Sequence, residues 1–125
     1  MSKDYVKRAA EVIKDLKKEN GKMVTTSQIR KFLAGVNAIK NKVQIRTFQG
    51  EITEGRLPED IQREIQALKV KLVYQCGREP KVKTFVEKAK LLDGIDAIEG
   101  STKKFLDFAG YVEALVAYHK YEGGE

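Results

Sequence analysis

The apolar residues of this chain recur every three to four positions along almost its whole length, which is the spacing of one helical face. No segment alternates between apolar and polar positions over more than a few residues, as a half-buried strand would. We therefore predict an all-α fold, a compact bundle of five helices without a sheet, in a single domain that spans residues 1–125.

Five segments carry the helical pattern, and hydroxyl caps, prolines and glycines mark their ends. The first predicted helix runs from Lys3 to Glu19 and ends at Asn20 and Gly21, and the second begins at residues 25–27 and carries its apolar stripe from Ile29 to Val43. The third begins at Leu57 and Pro58, and its stripe ends at Cys76. The fourth runs from Val82 to about Asp93 and Gly94, and the last begins at Ser101 and ends at Gly123 and Gly124. A short turn is expected over residues 95–98.

Two segments depart from a one-sided helical pattern. The apolar spacing is lost between Gln44 and Arg56, so we predict a connector there and leave open whether it moves. The second half of the third helix carries Val70, Val73 and Tyr74 away from its stripe. That half therefore belongs either at the centre of the bundle or at a contact between chains.

Composition narrows the class of protein. The chain has 42 % hydrophobic residues and no uncharged apolar stretch near the roughly 20 residues of a membrane span, so we expect a cytoplasmic protein without membrane contact. It contains one cysteine, Cys76, and one histidine, His119. These two residues cannot form an intrachain disulfide or a Cys/His zinc site, and we expect no metal or cofactor.

The net charge of +6 is unevenly distributed. Residues 1–50 carry 12 basic and 4 acidic side chains, and the acid-free segment 20–50 lies among them; residues 69–90 carry 7 and 2. Two other segments are acidic: residues 51–68 carry 2 basic and 5 acidic side chains, and residues 91–125 carry 3 basic and 7 acidic side chains. The alternation favours one surface that meets a polyanion, although ordinary lysine-rich solvation of helices is the alternative.

Three stretches together resemble one family. They are residues 25–33 (TTSQIRKFL), 68–78 (LKVKLVYQCGR) and 111–124 (YVEALVAYHKYEGG), and their order and spacing match along essentially the whole chain. The chain is similar to the small subunit of the type III-A (Csm) CRISPR effector complex. The resemblance implies an α-helical subunit present in several copies, stacked as an inner filament beside crRNA-binding backbone subunits and lining the groove for guide and target RNA. It also implies that cleavage belongs to the backbone and large subunits.

Two sets of basic and polar residues are candidates for contact with crRNA and target RNA. Lys71, Gln75 and Arg78 lie at positions i, i+4 and i+7 of the third helix, so they form one strip that can follow a phosphate backbone. The alternative for this strip is pairing with acids of a neighbouring helix or subunit. The second set is Arg30, Lys42 and Arg46, near a polar ridge of the second helix; for Arg30 a subunit contact is nearly as well supported.

Protein contacts with copies of itself and with the backbone and large subunits are expected elsewhere. Tyr111 and Tyr118 lie seven residues apart on the last helix, away from its predicted stripe, and suit a subunit interface; a wider core is the alternative. The acidic balance of residues 91–125 could meet a basic surface on the next copy, which would give head-to-tail stacking.

An active site finds no support in the sequence. His119 lies in the apolar stripe of the last helix, where a packed histidine is expected. The acids Glu59, Asp60 and Glu64 lie at a helix start, where they stabilise the helix dipole. We therefore predict a non-catalytic RNA-binding and assembly subunit. The main alternative is a pure protein scaffold without RNA contact; a DNA-binding regulator and a small hydrolase are less favoured.

Overall fold

Helices account for most of the fold in the computed structural model, which describes residues 4–18 and 24–123. The six helices in these ranges are α1 (Tyr5–Lys18), α2 (Thr26–Phe48), α3 (Glu59–Arg78), α4 (Pro80–Ala89), α5 (Leu91–Asp96) and α6 (Thr102–Tyr121). The described ranges contain no strand, only an isolated antiparallel bridge between Arg56 and Ser101. The all-α prediction is confirmed.

The helix α6 carries more buried residues than any other helix that the structure describes. Seven of its residues are buried, and they are Phe105, Phe108, Ala109, Tyr111, Val112, Leu115 and His119. Helices α1 and α2 pack on α6, α2 also packs on α3, and α3 and α1 both pack on α4, which closes a ring. The short α5 contacts α3, α4 and α6. Each large apolar side chain buried in this way contributes about 1.5–3 kcal/mol from removal of its surface from water.

The predicted caps at two helix starts are confirmed. At α2 the Thr25 hydroxyl accepts a hydrogen bond from the backbone N–H of Gln28 at 3.2 Å. In return, Oε1 of the Gln28 side chain accepts one from the backbone N–H of Thr25 at 3.0 Å. This reciprocal pair is a capping box. At α6 the Ser101 hydroxyl accepts from the Lys104 amide at 3.2 Å. Both helices therefore begin where the sequence indicated.

The predicted connector is shorter than expected, because α2 continues to Phe48 and only residues 49–58 link it to α3. The apolar residues of this last turn, Ile45 and Phe48, are exposed, so they carry no signal of a buried face. The end of the connector is tied to the start of α6: the Leu57 amide donates to the Gly100 carbonyl at 2.8 Å, and the Thr102 amide donates to the Gly55 carbonyl at 2.9 Å.

The fourth predicted helix is two helices. Lys90 adopts a left-handed conformation, with φ 56° and ψ 43°, and separates α4 from α5. The apolar pattern crosses this break because Ala89 and Leu91 are both fully buried. Residues 95 and 96, predicted as part of a turn, complete α5.

The structure decides between the two positions considered for the second half of α3. Val70, Val73 and Tyr74 point outward, and all three are exposed, so a place at the centre of this bundle is wrong. A contact with another molecule remains open for them. The predicted ends of the first helix at Lys3 and Glu19, its stop at residues 20–21, and Gly124 lie outside the described residues.

Gly100 offers a direct test of the connection between the connector and α6. Its φ is +77°, and an added Cβ would lie 3.2 Å from the Gln62 side chain. Gly100→Ala should lower the free energy of unfolding by about 1–2 kcal/mol, because an alanine is strained in this conformation. Urea denaturation with circular dichroism measures the change.

The matched control is Gly77→Ala, at a helical glycine with open space around its Cβ position. This change should leave the stability unchanged or raise it by up to about 1 kcal/mol, since alanine favours the helix. Equal destabilisation by the two substitutions would contradict this account of Gly100.

Candidate nucleic-acid interface

A groove of about 510 Å³ lies between α2 and α3, and three residues of α4 line it as well. Apolar side chains form its inner surface, and among them are Phe32, Leu72, Val82, Phe85 and Val86. Gly35 of α2 also lines it, and a Cβ there would lie only 2.8 Å from Cδ1 of Leu68. The two helices therefore approach closely at Gly35, and the groove lies along the line where they meet.

The predicted strip of Lys71, Gln75 and Arg78 lies along the α3 rim of this groove. All three side chains are exposed. Neither Lys71 nor Arg78 forms an ion pair with any residue that the structure describes, so the alternative of pairing with a neighbouring helix finds no support within the described ranges. Glu79 also lines the groove but is not within ion-pair distance of either cation.

Lys31 lines the groove from α2 and faces the same space as the α3 strip. Lys31 is not among the residues predicted to contact RNA. Its signal was its place in the acid-free segment 20–50, one residue after Arg30 and therefore about 100° away around the helix. Together Lys31, Lys71 and Arg78 place three cations around one groove.

Lys42 and Arg46 are engaged within the chain. The ammonium group of Lys42 lies 2.5 Å from Oε1 of Glu64, and the Arg46 guanidinium donates two hydrogen bonds to Asp60, at 2.5 and 3.3 Å. The hydrogen bond from Arg46 holds the pKa of the Asp60 carboxyl below its ordinary value. These acids at the start of α3 therefore offset the charge of both cations.

Arg30 lies outside the groove. It is exposed, has no ion-pair partner among the described residues, and shares the outward face of α2 with Asn37 and Asn41. The structure therefore brings Lys71, Gln75 and Arg78 together with Lys31 and leaves Arg30, Lys42 and Arg46 apart from them.

Comparison with known proteins places the chain in a family. The family model described as Csm2 Type III-A matches residues 1–125. The chain belongs to the type III-A Csm2 family. The predicted resemblance to the small subunits of type III-A CRISPR complexes is thereby confirmed.

Curated relatives agree with this assignment. The chain is 43 % identical over 119 residues to a Mycobacterium tuberculosis protein named "CRISPR system Cms protein Csm2". This match covers 94 % of the chain and 90 % of the relative. A protein of the same name from Enterococcus italicus is 37 % identical, and the match covers 94 % of this chain and 86 % of the relative. Another from Streptococcus thermophilus is 35 % identical, and the match covers 98 % of this chain and 93 % of the relative.

Tyr111 is not on the surface of this Csm2-family chain, which corrects the predicted exposed position. Its side chain is fully buried, its hydroxyl donates a hydrogen bond to the Ala89 carbonyl at 2.8 Å, and the guanidinium of Arg8 lies 5.2 Å from its ring centroid. Burial raises the pKa of the phenol. The alternative of a wider core is therefore right for Tyr111, because the buried face of α6 is broader than the predicted stripe.

Tyr118 is half-buried and packs edge-on against Tyr121, with ring centroids 6.4 Å apart. Tyr121 itself is exposed. A subunit contact at this end of α6 remains a prediction for Tyr118.

His119 has the packed role that the sequence indicated. The side chain is fully buried; Nε2 donates to the Val24 carbonyl at 2.6 Å, and Nδ1 lies 3.4 Å from the Thr26 hydroxyl. The histidine thus links the end of α6 to the start of α2. Within residues 4–18 and 24–123, no group of three or more His, Cys, Asp or Glu side chains could hold a metal ion, and no helix there is long and apolar enough to span a membrane.

Removing the Tyr111 hydroxyl tests its place in the core. Tyr111→Phe should lower the free energy of unfolding by about 1 kcal/mol, because the buried 2.8 Å bond to the Ala89 carbonyl is lost and only the 3.5 Å bond from Nη2 of Arg8 to that carbonyl remains. Chemical denaturation of the full chain measures the loss.

Tyr118→Phe is the control, since its hydroxyl makes no hydrogen bond to any residue that the structure describes, and it should leave stability within about 0.5 kcal/mol of the parent. If Tyr111→Phe were as stable as Tyr118→Phe, the buried hydrogen bond would not contribute as described.

Proposed function

We propose that this chain is a non-catalytic small subunit of a type III-A CRISPR ribonucleoprotein, working in the cytoplasm and stacking in several copies beside the guide and target RNA. The groove between α2 and α3 faces that RNA and contacts its phosphate backbone without reading sequence. One observation carries the proposal: Lys31, Lys71 and Arg78 surround this groove, and none of them has an acidic partner among the described residues.

The chemistry of the rim suits phosphate contact. Lys71 supplies a mobile point charge, and Arg78 supplies a planar fork that can hold two phosphate oxygens. Lys71 and Arg78 are about 10 Å apart along the helix axis, so the rim can follow a strand over more than one phosphate. Such contacts position a strand without specifying its bases, as a subunit must when the guide sequence changes.

Arg30, Lys42 and Arg46 make a smaller contribution in this proposal. Lys42 and Arg46 would have to exchange Glu64 and Asp60 for phosphates, which offsets part of any gain in affinity. Arg30 faces away from the groove and is available either to RNA or to a neighbouring subunit.

Loss of the two rim cations should weaken RNA binding in a salt-dependent way. We expect Lys71→Ala combined with Arg78→Ala to lower the affinity of the assembled complex for target RNA. The plot of log affinity against log salt should become shallower by roughly 0.7 for each phosphate contact removed. Equilibrium binding over a series of salt concentrations gives this slope.

The control pair is Lys7→Ala with Lys14→Ala, two exposed cations on α1 that remove the same charge. Because α1 packs on α4 and α6, it lies across the bundle from the α2–α3 groove, and the salt slope should not change. Lys42→Ala with Arg46→Ala should give a smaller change than the rim pair. Equal slopes for the parent and the rim variant would refute phosphate contact at the groove.

Stacking of copies is the second part of the proposal. Asp107 and Glu113 lie on α6 in the acidic segment 91–125, and neither has an ion-pair partner in the described part of the chain. We propose that they face a basic surface of the next copy.

Charge reversal at both positions, Asp107→Lys and Glu113→Lys, should lower the number of copies in each complex, because like charges would then meet. Native mass spectrometry of the complex counts the copies. Glu11→Lys with Glu51→Lys makes the same change in net charge at exposed positions elsewhere and should preserve the count. An unchanged count in the α6 variant would exclude this contact.

A pure scaffold without RNA contact is the second candidate function. It is favoured by the exposed apolar side chains of Val70 and Val73 on α3, which suit a protein contact. In that case the rim variant would change the composition of the complex and leave the salt slope as it was.

A further inference from the structure

Tyr74 stands out on the outward face of α3. Its side chain is 61 % exposed, and the Arg78 guanidinium lies 5.7 Å from the centroid of its ring. Between Glu64 and Glu79 the helix carries no acidic residue. An exposed aromatic ring therefore adjoins the cationic rim of the groove, and the nearest acid along the chain is Glu79, just beyond the end of α3.

This combination is typical of sites for single-stranded nucleic acid. Such sites join cations, which follow the backbone, with aromatic rings on which bases stack whatever their sequence. Protein interfaces also favour Tyr and Arg, but they are depleted of Lys, and Lys71 lies one turn from Tyr74. Tyr74 has Lys71 one turn before it and Arg78 one turn after it, and neither cation is neutralised within the described chain.

We propose that Tyr74 is a base-stacking residue: a nucleobase of the bound RNA stacks on its exposed ring while the adjoining phosphates lie at Lys71 and Arg78. The inference rests on the function proposed above and adds the chemical class of the group that the α3 face receives. The rise of the helix places Tyr74 about 4.5 Å from Lys71 along the axis and about 6 Å from Arg78. One nucleotide and its neighbour can therefore engage all three side chains.

The proposed contact also selects the state of the RNA. A base within a continuous duplex is covered on both faces by its neighbours, so Tyr74 can accept only a base with a free face. Val70 lies one turn before Tyr74, is 68 % exposed, and extends the apolar surface beside the ring. The α3 face therefore fits a strand that is unpaired or locally unstacked.

Phe48 is a second exposed aromatic ring near basic residues. It is 93 % exposed at the end of α2. The guanidinium of the nearby Arg46 is bound to Asp60, whereas Arg78 beside Tyr74 lines the α2–α3 groove and has no acidic partner among the described residues. The structure therefore favours Tyr74 as the stacking residue.

Two substitutions at Tyr74 separate stacking from simple apolar contact. In the assembled complex, Tyr74→Leu keeps apolar bulk and removes the ring, whereas Tyr74→Phe keeps the ring. We expect Tyr74→Leu to weaken target RNA binding by roughly fivefold or more, the effect of losing one stacked base. Tyr74→Phe should bind within about twofold of the parent. Neither variant should change the salt slope, since no charge is lost.

A fluorescent purine analogue placed at successive positions of the target RNA gives a second readout. Stacking on Tyr74 should quench the analogue at particular positions, and Tyr74→Leu should relieve that quenching while Tyr74→Phe preserves it. Phe48→Leu is the matched control, since Phe48 is an exposed ring beside an arginine that is already paired, and it should change neither affinity nor quenching.

Each remaining outcome overturns the inference in an identifiable way. If Tyr74→Leu binds RNA as tightly as the parent while the Lys71 and Arg78 variant still alters the salt slope, stacking is wrong and phosphate contact stands. If both variants leave RNA binding unchanged, the proposed function fails as well. If Tyr74→Leu instead lowers the copy number in native mass spectra, Tyr74 belongs to a protein interface.

Discussion

Burial of α6 is the constraint on which the rest of the structure depends. Its buried residues form one face about 160° wide, broader than the predicted stripe, because Tyr111 at the edge is buried as completely as Phe108 and Leu115. A face of this width needs more than one neighbouring helix, and α1 and α2 pack directly on it while α3 and α4 complete the ring. The polar groups that this burial removes from water are bonded: the Tyr111 hydroxyl binds the carbonyl that ends α4, and His119 binds the segment that begins α2.

The position of the surface charges follows from this arrangement. Packing on α6 fixes which face of α2 turns toward α3, and Gly35 lets the two helices approach. At one end of this contact Lys42 and Arg46 meet the acids that begin α3, so these cations stabilise the contact between the two helices. Toward the other end Lys31, Lys71 and Arg78 surround the groove without described acidic partners. Residues of the same type thus differ in their availability to an external phosphate.

Helix type and most helix starts could be predicted from the sequence, because local signals determine them. Thr25 and Ser101 form the expected caps, and the periodicity of α2 and α6 identifies their inner faces. The break at Lys90 could not be predicted, since no glycine or proline marks it and buried residues flank it. Tyr111 was misplaced because a stripe analysis assumes a helix with a narrower buried face. The ion-pair partners of individual cations could not be predicted either, because a helical pattern identifies a face but does not show which acid of another helix lies opposite.

The central claim is that the α2–α3 groove of this type III-A Csm2 family member lies against RNA. The most direct measurement is photocrosslinking of the assembled complex to target RNA, with the crosslinked peptides of this chain identified by mass spectrometry. The account predicts crosslinks concentrated on residues 68–78 of α3 and near Lys31 of α2. Crosslinks confined to α1 or α6, or none to this chain in a complex whose other subunits crosslink, would contradict it.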